Sequence, residues 1–176
     1  MIRAEFKKSL LDQHGASVIL WCFFFASIFI YIVIAQLVVG GRGFPINQRV
    51  ALSARVILWL LVFVDFGYLV WWKKRYLSRE TMLEASSKTK VFRVLQGHST
   101  PQEKTAAAVV STYVTRKIAA FAIVEAIAVY GLLIALVGRY FWDQYLLSGL
   151  SLALLIMEFP SKSSLEDLVR RLEIIG

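Results

Sequence analysis

The chain has 176 residues, 58% of them hydrophobic and 18% charged, with a net charge of +8 and a mean hydropathy of +0.63. A soluble domain carries about 45–50% apolar and about 25% charged residues, so a bilayer is the simplest solvent for the surplus. The basic residues flank apolar runs instead of forming one stripe, which argues against nucleic acid as a partner and for the flanking pattern of membrane proteins. The length fits one compact membrane domain. The lone cysteine, Cys22, can build neither a disulfide framework nor a thiolate metal site, and His14 and His98 lie in separate polar segments without an acid cluster. No metal and no cofactor are expected.

Residues 1–15 are polar, with Ile2, Phe6 and Leu10 at four-residue spacing, which fits a short interfacial helix or a tail. A first span is predicted over 16–39, long enough for the roughly 20 apolar residues that a crossing needs. It is also too long for the h-region of a signal peptide, which covers about 7–15 residues. Gly40, Gly41, Gly43 and Pro45 are expected to break it. A second span over 50–72 carries Asp65 and ends on Trp71, Trp72 and the basic run Lys73, Lys74 and Arg75. The hydrophilic connector 73–117 holds a capping-box pattern at Thr100-Pro101-Gln102-Glu103, from which one helix is predicted to run unbroken to Gly138. Its apolar part, 118–138, is a third span with Glu125 inside it. A turn at 139–143 leads into a shorter fourth span over 140–159, and the tail 163–176 has an amphipathic pattern at Leu165, Leu168, Val169 and Leu172. The expected fold is all-α: an integral membrane four-helix bundle with a cytosolic helical hairpin extension.

Three Lys and Arg lie in the N-terminal segment, ten in the connector and three in the tail, against Arg42, Arg49, Arg55 and Arg139 on the other side. Sixteen against four predicts both termini and the connector in the cytoplasm of an inner, or plasma, membrane.

Asp65 lies eight residues before Lys73 and Glu125 eight after Lys117. On antiparallel spans both acids therefore arrive about 12 Å from the same boundary. An acid inside a spanning helix is costly, which makes it a functional-site hypothesis. Two neighbouring carboxylates in low dielectric would share a proton or bind a cation. Tyr68, one turn from Asp65, and Ser27 and Ser151, at similar depth, complete the candidate ion- or proton-binding set. The competing reading is a static polar clasp between helices. Gly131 and Ala135 form a small-xxx-small pair that allows close helix approach.

The text VEAIAVYGLLIAL around Glu125 resembles the ion-carrying helix of the proteolipid (c or K) subunits of rotary ATP synthases, in which an acid is followed by small residues, a Tyr-Gly or similar step and an aliphatic run. The likeness covers about 13 residues. It implies that Glu125 binds a proton or sodium ion.

No span contains a histidine, and the chain has neither a GxSxG nor a phosphate loop. The expected function is therefore non-enzymatic: a subunit or scaffold of a membrane complex, with a protein partner or a second copy engaged through the spans or the connector. The alternative is a proton- or cation-binding component of a transport or energy-coupling complex using Asp65 and Glu125.

Overall fold

A computed structural model describes residues 4–42, 47–76, 101–161 and 163, with side chains described over 14–39, 47–76, 107–161 and at 163. Among the described residues the chain is all-helical, with no strand: α1 spans Ala4–Arg42, α2 Gln48–Tyr76, α3 Pro101–Gly138 and α4 Phe141–Met157. Three of these helices contain stretches long and apolar enough to cross a membrane: His14–Val39, Gln48–Tyr76 and Ala107–Gly138. With 17 residues, α4 is apolar but shorter.

The polar N-terminal segment is not separate, because α1 runs from Ala4 without a break into the apolar stretch. Gly40 and Gly41 are still helical and α1 ends at Arg42, a little past the expected break. The propensity cost of roughly 1 kcal/mol for each glycine does not end the helix there. Pro101 opens α3, where its missing N–H costs nothing, and the helix continues unbroken to Gly138 as expected. Residues 77–100 of the connector, which include Thr100 of the capping-box pattern, and residues 164–176 of the amphipathic tail lie outside the described residues.

The chain divides into two compact units. The first comprises Met1–Leu20, Trp72–Ala119 and Phe159–Gly176. There His14 Nε2 donates to the Pro160 carbonyl at 2.7 Å, and the Arg116 guanidinium donates to the Tyr76 carbonyl while lying 5.5 Å from the Tyr76 ring centre. Six consecutive residues of α3, Ala107 to Thr112, are buried, so this segment is covered on every side.

The second unit comprises Trp21–Trp71 and Ala120–Glu158. Here α3 is central. In their most apolar windows 44% of α3 is buried, against 11% of α1 and 11% of α2. One face of α3 (Ala120, Phe121, Val124, Ala128) packs with Ile28 of α1, Leu69 of α2 and Leu155 of α4. A second face, Ile127 and Ile134, packs with Val62 of α2 and Leu147 of α4. The two faces follow from helical spacing, with residues three and four apart stacking on one side.

Between α3 and α4 the turn is tight because Arg139 takes a left-handed conformation, φ 58°, and its N–H closes on the Ala135 carbonyl at 2.9 Å. That position usually falls to glycine. Gly138 matters next to it, since a Cβ there would collide with the Tyr140 ring folded back over the helix end.

Candidate functional site

Each acid is held by hydroxyl groups. Ser27 and Tyr31 stand one turn apart on α1 and so share a face. Ser27 Oγ lies 2.6 Å and Tyr31 Oη 2.7 Å from Oε1 of Glu125 on α3, and both are donors to it. On the other flank of α3, the Tyr130 hydroxyl donates to Asp65 Oδ2 of α2 at 2.8 Å. Glu125 and Asp65 are half-buried. No hydrogen bond joins one carboxyl to the other among the described residues. Equal depth along two helices fixes height but not direction, and here the hydroxyl partners lie on different sides of α3.

Of the other expected members, Ser27 reaches Glu125. Ser151 is fully buried on α4, but its hydroxyl donates to the Val124 carbonyl at 2.7 Å, tying α4 to α3 one residue away from the acid. Tyr68 is 43% exposed with its ring 5.5 Å from that of Trp71, and the hydroxyl on Asp65 is that of Tyr130 instead.

Sequence reasoning passed over four further polar features, three single side chains and one ion pair. Tyr31 was signalled by its four-residue spacing from Ser27. Its backbone also matters, because Gln144 of α4, itself fully buried, donates from Nε2 to the Tyr31 carbonyl at 3.0 Å. One residue of α1 thus holds α4 by its main chain and α3 by its phenol. Tyr130 sat within the Tyr-Gly step and gave no separate signal. The fourth is a fork between Arg55 of α2 and Asp143 in the first turn of α4. Nη2 donates to Oδ1 at 3.0 Å, and Nε lies 2.6 Å from Oδ2 as a charge contact rather than an aligned hydrogen bond. The guanidinium also lies 4.6 Å from the Tyr140 ring centre. Asp143 near the N-terminus of α4 further suits the helix dipole.

Close approach makes these contacts possible. A Cβ on Gly131 would come within 3.2 Å of both Gln144 Cα and Leu147 Cβ, so α3 and α4 touch at backbone distance there. Among the described residues no group of three or more His, Cys, Asp or Glu is placed to hold a metal ion. The polar centres of the site are two carboxyls, each hydrogen-bonded by hydroxyl groups of a neighbouring helix. The chain matches no protein-family model, no curated protein and no solved structure.

Proposed function

We propose that this is a multi-pass membrane protein that serves, without catalysis of its own, as a subunit or scaffold of a membrane complex. Both termini and the 73–117 connector lie on the cytoplasmic side in this reading. The observation that carries it is the outward face of α1 and α2. Phe23, Leu37, Phe63 and Val64 are 70%, 73%, 66% and 63% exposed along helices of spanning length. An apolar patch of that extent marks contact with lipid or another membrane protein, not water. In such surroundings helices are held by close packing and hydrogen bonds rather than by burial from water. The Ser27, Tyr31, Gln144 and Ser151 contacts suit that need. Affinity purification of the full chain in mild detergent tests the scaffold role. An Asp65→Asn, Glu125→Gln double variant should keep the wild-type partners, and their loss would refute the reading.

One observation favours a second role for Glu125. Ser27 has a single hydroxyl hydrogen, yet its Oγ lies 2.8 Å from the Phe24 carbonyl oxygen as well as 2.6 Å from Glu125. With Tyr31 this makes three O···O contacts of hydrogen-bond length and only two hydroxyl hydrogens. Were Glu125 protonated, its carboxyl could donate to Ser27 in place of accepting from it, which would leave the Ser27 hydroxyl for the Phe24 carbonyl. Dicyclohexylcarbodiimide, which reacts with protonated carboxyls in apolar surroundings, should modify Glu125, and Glu125→Gln should abolish the labelling. Protection by low sodium would instead point to a cation.

A further inference from the structure

The inward face of α4 carries Gln144, Ser148 and Ser151 at helical spacing, all between 0% and 1% exposed. Ser151 is satisfied by the Val124 carbonyl and the Gln144 amide nitrogen by the Tyr31 carbonyl. Gln144 Oε1 and Ser148 Oγ, in contrast, are buried and make no hydrogen bond among the described residues. Ser148 does not even take the local option. Ser53, Thr112 and Thr115 each donate to the carbonyl four residues back, at 3.0, 2.8 and 2.9 Å. Ser148 leaves the Gln144 carbonyl alone. A buried hydroxyl or amide oxygen without a partner costs about 1–3 kcal/mol, so a pair of them on one helical face calls for an occupant.

We propose that Gln144 and Ser148 form an internal water-binding site between α4 and its neighbours. Residues four apart place their Cβ atoms about 5–6 Å from one another, and the serine side chain leans back toward the helix start. Two hydrogen bonds of about 2.8 Å through one water molecule span such a gap. The water donates to Gln144 Oε1 and exchanges a hydrogen bond with Ser148, giving it the two polar partners an internal water needs. The site lies along α4 between the Arg139–Tyr140 turn and the level of Ser151, which meets the residue beside Glu125. Through Gln144 it adjoins Tyr31, whose phenol donates to Glu125. The inference goes beyond the role given to Glu125 and does not depend on it.

Water-edited solid-state NMR on the deuterated full chain in lipid bilayers tests it. Magnetisation from water should reach the Ser148 amide and the Gln144 side-chain amide several-fold faster than the amides of the dry residues Ile127 and Leu155. Equal rates would overturn the proposal. Ser148→Ala gives a second reading with an opposite sign for the two cases. If a water is held there, the alanine variant loses one of its partners, water transfer to Gln144 falls to the dry level, and Tm drops by about 2–12 °C. If the hydroxyl is merely buried unpaired, removing it leaves Tm unchanged or raises it, which refutes the site. Carbodiimide-inert Glu125 together with fast transfer at Ser148 would sink the proton reading and leave the water site standing.

Discussion

Replacing Gly131 with alanine sets two effects of known size against each other. Alanine in a helix interior gains about 0.5–1 kcal/mol over glycine from backbone entropy. At Gly149 and Gly67 nothing lies within 4 Å of the added methyl, so that gain should appear in full. At Gly131 the methyl would stand 3.2 Å from Gln144 Cα, 3.2 Å from Leu147 Cβ and 3.4 Å from the Gln144 carbonyl oxygen. Carbon pairs prefer about 3.5–4.0 Å. The atoms that must yield belong to the α4 backbone and a Cβ, so relief requires the helix itself to shift. Overpacking of that kind costs about 1–3 kcal/mol. The net for Gly131→Ala is a loss of roughly 1 kcal/mol, and for Gly149→Ala a gain of similar size. For a chain of this length each kcal/mol moves Tm by about 2–4 °C. Thermal unfolding in one mild detergent should therefore show Gly131→Ala below the wild type and Gly149→Ala above it. Equal rises for both would show that α3 and α4 do not meet at Gly131.

Arg139→Gly should raise stability by about 1 kcal/mol in the same assay, because a left-handed residue with a Cβ is strained and glycine is not. Phe121→Ala empties a fully buried position in the larger core cluster and should cost about 3–5 kcal/mol, read as a collapse of Tm. Cys22 is exposed within the apolar stretch of α1. In intact membranes it should resist a charged, water-soluble thiol reagent and react only once detergent denatures the protein; rapid labelling in intact membranes would refute lipid contact at that position.

Long apolar runs and their punctuation made the helices legible, since each run has one interpretation in hydrocarbon and Pro101 and the Arg139 turn sit at helix ends. The uninterrupted α3 followed from the absence of any breaker between Pro101 and Gly138. What spacing could not convey was azimuth. Counting 1.5 Å per residue put Asp65 and Glu125 level, but roughly 100° per residue turns Tyr130 about 140° away from Glu125 on the same helix. The hydroxyl on Asp65 therefore arrives on a different flank from those on Glu125. Tyr31 and Gln144 were overlooked for a related reason, because a tyrosine or glutamine in an apolar run declares a partner only when the facing helix is known. Arg55 contributed to the orientation count as a boundary charge, although its fork with Asp143 also ties α2 to α4.

The placement of these hydroxyl groups limits how the central helix can move. Spinning α3 about its long axis would tear Glu125 from Ser27 and Tyr31 and Tyr130 from Asp65 in the same instant. Swinging α1 aside would uncover Glu125 while α2 kept its grip. The central helix is thus tied separately on two flanks, to α1 through Glu125 and to α2 through Tyr130.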